Sequence, residues 1–146
     1  MMEDTQFRRL GPRLQPRGIH RPEERHQLKF LIHITCGPEN PSKAALAFLV
    51  AKAAQDEGHE VRLFLAAEAA VLLRPAVVEN LQGLGTGSLK AHLEALRTGG
   101  ASFYVSGMSA KSRGFDAAEL GDLKAEFAMP AALVRLAAEA DRVLCY

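Results

Sequence analysis

One cysteine, Cys36, stands where a run of strand-forming residues meets Gly37-Pro38 and the start of a helix. A thiol there can act as a nucleophile or a sulfur acceptor. The free backbone N–H groups of a helix N-terminus attract anions and lower a thiol pKa. Glu39 opposes that effect, and the plain alternative is a small packed side chain. Further along, Ser106, Ser109, Lys111, Ser112 and Arg113 crowd into one polar stretch. Hydroxyl donors beside two cations suit a carboxylate, a sulfur oxyanion or a phosphate. The alternative for Lys111 and Arg113 is a solvated loop or a subunit contact. The candidate catalytic residue is therefore Cys36. The candidate ligand-binding residues are Gly37, Glu39 and Asn40 in the first turn, and Ser106, Gly107, Met108, Ser109, Lys111, Arg113 and Gly114 in the second.

Other chemistries fail on spacing. Gly37 to Lys43 begins like a phosphate-binding loop but lacks the second glycine and the Lys-Ser/Thr pair. Gly83, Gly85 and Gly87 follow a helix instead of a strand and lack the third spacing of a dinucleotide fingerprint. No serine sits in a G-x-S-x-G elbow, so a Ser-His-Asp triad has no anchor. Cys36 and Cys145 are too few and too far apart for a disulfide framework, and neither has a metal-ligand spacing to a histidine. No metal and no cofactor is expected. His33 reads as a hydrogen-bonded core or interface group, and Cys145, in the last strand, as buried.

Both turns need a scaffold, and the chain supplies one. Residues 29–35 read as a strand rich in β-branched and aromatic side chains. A helix follows, with Asn40 before Pro41, or Ser42, as its cap. Leu46, Leu49, Val50 and Ala53 form its apolar stripe, and Gly58 ends it. Residues 60–65 predict a second strand and 66–74 a short alanine-rich helix stopped by Pro75. Residues 82–87 predict a glycine-rich loop, after which Ser88 caps a helix carrying Leu89, His92, Leu93 and Leu96. Residues 101–105 form the third strand and deliver the chain into a polar loop at 106–115. A short fourth strand at 123–127, a helix from Pro130 to Ala140 and a last strand at 142–146 complete the pattern. Strands alternating with helices predict a three-layer α/β/α fold around a mostly parallel sheet of five strands. The two candidate turns then share the carboxyl edge of the sheet, where open α/β folds bind ligands.

Composition narrows the partners. At 146 residues and 15.8 kDa the chain suits one domain. No apolar run approaches the ~20 residues of a membrane span, and the N-terminus has no signal-peptide core, so a cytoplasmic protein without a membrane partner is expected. Residues 1–27 carry six arginines against four acids and three prolines, which predicts a mobile arm outside a domain at 28–146. An arginine-rich contact for an acidic partner is its alternative. The remaining residues carry 12 basic and 13 acidic groups, so the domain has no basic field that would argue for nucleic acid.

Three phrases in order, TCGPENPSKAALAFLVAKAAQDEGHEVRLFL at 35–65, YVSGMSAKSRGF at 104–115 and LAAEADRVLCY at 136–146, resemble the DsrE/DsrF-like family, which includes sulfur-relay proteins of the DsrE and TusD type. The resemblance implies a flavodoxin-like, DsrE-like fold, a homo-oligomer (trimer or hexamer), and a small-molecule or sulfur-handling site at the loop ending in Arg-Gly. A sulfur-relay partner protein would go with it. In sulfur-carrying relatives the persulfide cysteine lies seven residues before that arginine, and in some a second lies four before it; counted from Arg113, these positions are Ser106 and Ser109. A hydroxyl cannot carry persulfide, and a serine nucleophile would need a base. Sulfurtransferase-like activity is thus expected only if Cys36 serves as acceptor. The alternatives are an interaction or assembly subunit that kept the fold without the chemistry, and a nucleotide-binding module.

Overall fold

The computed structural model describes residues 26–146. The expected arm lies outside the described residues except for His26 and Gln27, which are exposed. In chain order, β1 (Lys29–Ile34) leads to α1 (Pro41–Asp56) and β2 (Glu60–Leu65). A 3-10 turn (Ala67–Val71) and α2 (Pro75–Asn80) precede a small hairpin, β3 (Gln82–Gly83) and β4 (Gly87–Ser88). Then come α3 (Leu89–Thr98), β5 (Ser102–Ser106), α4 (Gly107–Ser112), a second 3-10 turn (Ala117–Leu120), β6 (Ala125–Ala128), α5 (Pro130–Glu139) and β7 (Arg142–Cys145). The main sheet has five strands in the order β6-β5-β2-β1-β7, and every pairing is parallel. This is the expected α/β/α architecture.

Alternation along the strands sorts the side chains into two cores. Ile32, Ile34, Val61, Leu63, Leu65, Phe103 and Val105 face the larger one, under α1 and α3. Phe48 from α1 stacks on Phe103 there, with centroids 6.5 Å apart. Leu31, Phe64 and Tyr104 point the other way, against Leu133, Leu136 and Ala137 of α5. That helix takes the chain from β6 at one edge of the sheet to β7 at the opposite edge, crossing the second face on its way. Among the described residues no helix is long and apolar enough to cross a membrane.

Several local expectations need correction. The buried side of α1 is Ala44, Ala45, Ala47, Phe48 and Ala51, while Leu46, Leu49 and Val50 are half-buried and Ala53 is exposed. Small residues let the helix lie close to its neighbours: a Cβ on Gly83 would come within 2.9 Å of the Ala45 Cβ. Asn40 is the cap, accepting from the Lys43 N–H at 3.3 Å. Ser42 instead anchors the hairpin, accepting from the Leu84 N–H at 2.9 Å while its carbonyl accepts from the Thr86 hydroxyl at 2.9 Å. Those bonds turn the expected glycine loop into β3 and β4. Pro75 begins α2 instead of merely ending what precedes it, since a proline at the first helical position lacks only an N–H that would be unpaired anyway. The expected polar loop after β5 contains α4, with Ser106 as its cap. Cys145 is exposed, because β7 is an edge strand. His33 is half-buried and edge-on to Phe64 at 5.9 Å, but its Nε2 has no hydrogen-bond partner among the described residues.

Candidate functional site

Three turns, not two, meet at the carboxyl edge of the sheet. Cys36 and Gly37 follow β1, Ala66 to Glu68 follow β2, and α4 follows β5. Because β2 separates β1 from β5, the first and last of these turns leave the sheet two strand spacings apart, about 10 Å. The β2 turn is the bridge between them.

Cys36 is half-buried and packs against the main core. Burial pushes its thiol above the ordinary value and Glu39 adds to this, while Lys43 acts the other way. The net direction is upward, away from a resting thiolate. The neighbouring Gly37 N–H donates to Glu39 Oε1 at 2.8 Å, so a carboxylate of the chain already takes the nearest anion-binding donor. A Cβ on Gly37 would strike the backbone carbonyl of Glu68, which is why the turn needs glycine.

The β2 turn carries the one non-glycine residue with positive φ among the described residues, Ala67 at 51°. The surroundings hold that conformation in place. Its N–H donates to Ser109 Oγ at 2.9 Å, tying the turn to α4. Ser106, 8% exposed, accepts the Ser109 N–H at 3.3 Å as the α4 cap. Both serines therefore have architectural tasks, and neither has a histidine or carboxylate among its hydrogen-bond partners.

The two cations part company. Arg113 turns to Glu68, with Nη2 at 2.7 Å from Oε1 and Nε at 3.4 Å from Oε2. Its Nη1 donates to the Ser109 carbonyl and the Ser112 hydroxyl, each at 3.1 Å. The pairing holds the Glu68 carboxyl below its usual range and pushes the guanidinium up. The Lys111 ammonium has no ion-pair or hydrogen-bond partner among the described residues, although its backbone carbonyl accepts from the Gly114 N–H at 3.2 Å. It lines a groove of about 560 Å³ with Gly107, Gly114, Phe115, Asp116, Ala117 and Phe127. Met108 is exposed beside them. Lys111 and Arg113, both candidate ligand-binding residues, thus have different surroundings, the groove for one and Glu68 for the other.

Two contributors escaped the sequence reading. Glu68 was hidden because nothing local marks it; only the strand order, with β2 between the candidate turns, puts it against Arg113. Arg74 holds two of the groove residues in place, donating through Nη2 to the Gly114 carbonyl at 2.6 Å and lying over the Phe115 ring at 5.4 Å. Among the described residues no three His, Cys, Asp or Glu side chains gather as a metal site requires.

The model of the DsrE/DsrF-like family matches residues 28–146. The chain belongs to the DsrE/DsrF-like family. No curated protein sequence matches it. Among solved structures, this DsrE-like chain is similar to the ychN protein from E. coli, at 21% identity and a TM-score of 0.67, with 82% of this chain and 100% of that one covered. It is also similar to BT1422 from Bacteroides thetaiotaomicron, a conserved protein of unknown function, at 10% identity and a TM-score of 0.60, with 81% of this chain and 94% of that one covered. At such identities the likeness speaks for the fold. In DsrE-like terms, the pair of positions counted back from Arg113 is occupied by a helix cap, Ser106, and a turn anchor, Ser109.

Proposed function

We propose that this DsrE-like protein is a cytoplasmic homo-oligomer that binds a small anion or sulfur compound at its 106–114 segment, with sulfur relay to a partner protein only through Cys36. The observation that carries the binding half is Lys111, an unpaired cation on the wall of an open groove that Phe115 and Phe127 make partly apolar. An ammonium without an internal partner is free to meet an anion, while the aromatic walls favour a ligand with some apolar or polarisable surface. Thiosulfate is a suitable probe. Equilibrium dialysis with labelled thiosulfate should show saturable binding to the native chain and a clear loss of affinity in Lys111→Ala; an isotherm that Lys111→Ala leaves unchanged would reject the groove.

A second reading, a non-catalytic assembly subunit, is favoured by the raised Cys36 thiol and by exposed Met129, Val134 and Val143. Persulfide loading separates the two. In relay, the terminal sulfur of a donor R–S–SH bonds to the Cys36 sulfur as its bond to the donor breaks, and the donor leaves as R–SH. Intact mass should then rise by one sulfur atom in the native chain and in Cys145→Ala, but not in Cys36→Ala. An adduct that only Cys145→Ala removes would reject Cys36 as acceptor, and no adduct at all would leave binding or assembly.

A further inference from the structure

The β2 turn is fixed through its backbone and free at its side chain. Ala67 is tied to Ser109 Oγ, and the Glu68 carbonyl lies where a Gly37 side chain would be. The Glu68 side chain itself is 55% exposed, and its carboxylate spans Nη2 and Nε of Arg113. That edge of a guanidinium is the one that takes an oxyanion through two parallel bonds. The remaining donor, Nη1, is occupied by the Ser109 carbonyl and the Ser112 hydroxyl, which orient the fork. Arg113 is therefore a finished oxyanion receptor whose occupant belongs to the same chain.

We propose that Glu68 is a displaceable internal stand-in for a ligand, and that the Arg113 fork is a second anion site, separate from the Lys111 groove. Its ligand class follows from what it replaces: a carboxylate, sulfonate or thiosulfate group, with two oxygens on one centre spaced to meet Nη2 and Nε together. The exchange needs only a rotation of the Glu68 side chain into solvent, because the backbone contacts of the turn do not involve the carboxylate. Glu39 is the other nearby negative charge, and it is occupied with the Gly37 N–H. It repels an incoming anion from the β1 side, so the site discriminates by geometry as well as by charge. The inference takes its ligand chemistry from the anion-binding reading of the 106–114 segment but uses a different cation.

Thiosulfate binding to the full chain at constant ionic strength tests the two cations separately. Salt must be held fixed because exposed pairs are screened. Glu68→Gln keeps the side chain's size and removes its charge, and should raise affinity by roughly two- to fivefold, the scale on which an exposed ion pair competes. The gain should persist in Glu68→Gln/Lys111→Ala. It should vanish in Glu68→Gln/Arg113→Lys, which keeps a cation but loses the planar fork. Equal affinities of the native chain and Glu68→Gln, with binding lost in Lys111→Ala, would overturn the stand-in and leave the groove intact. A gain that Arg113→Lys does not remove would overturn it as well. Absence of thiosulfate binding in every variant would reject both anion sites.

Discussion

Replacing Gly37 with alanine puts a methyl group against the Glu68 backbone carbonyl and within 3.0 Å of Glu39 Oε2. The carboxylate can swing aside, but the carbonyl belongs to a turn anchored through Ala67 to Ser109. The cost should therefore fall near the top of the range for overpacking, about 3 kcal/mol. Removing a glycine from the unfolded chain returns about 0.4–1 kcal/mol, so the net loss is about 2 kcal/mol. With a urea slope of about 1.5 kcal/mol per molar, the midpoint should fall by roughly 1.3 M at fixed protein concentration. Gly107 supplies the control. It opens α4, its φ is not positive, and a Cβ there meets nothing nearer than 3.8 Å. Alanine at that position should be neutral or stabilising, by up to about 1 kcal/mol. A Gly37→Ala midpoint equal to or above the native one would refute the close approach of the β1 and β2 turns, and with it the placement of Glu68 beside Arg113.

The two thiols should separate in alkylation kinetics, Cys145 reacting fast and Cys36 slowly. The Cys36 rate should still be rising with pH where an ordinary thiol has levelled off, and a faster Cys36 would contradict its burial. The same shift affects stability. A thiol raised in the folded state contributes fully below its unfolded value, near 8.5, and that contribution is lost as pH rises toward the folded value. Denaturation midpoints followed from pH 8 upward in native chain and Cys36→Ala should therefore converge, and parallel curves would count against it. Burial lowers the His33 pKa, so its contribution is full above the unfolded value of about 6.5 and is lost as pH falls through the folded one. His33→Phe should flatten this part of the acid limb of the stability curve; an unchanged limb would assign the acid sensitivity to other groups.

Strands and their order of use were legible because hydrophobic runs and helix signals reach only a few residues along the chain. Pro41, Ser88 and Pro130 all mark boundaries where the structure has them. The α1 stripe was misread because periodicity finds the bulky face, whereas close packing here selects the alanine face around Phe48. At the site, Cys36 and the 106–114 segment lie at the expected edge, but their connection does not show in sequence. Glu68 acquires its meaning only when β2 is inserted between β1 and β5. Lys111 and Arg113, two apart in sequence, cannot share a direction at the end of a helical turn, so a cluster in sequence divides between two places in space.

The path of α5 also sets a timetable. Before Pro130 to Cys145 dock, β1, β2, β5 and β6 can pair as a four-stranded sheet. Until then β1 is an outer strand, and the sheet face under Leu31, Phe64 and Tyr104 is bare. Lys29, charged and exposed at the start of β1, is the sort of residue that discourages another chain from pairing there. The last segment then closes both openings at once, the helix over the face and β7 along the edge. Loosening of this one segment would therefore uncover a face and an edge together, so a change that weakens the docking of α5 should show as aggregation before it shows as lost helix or strand.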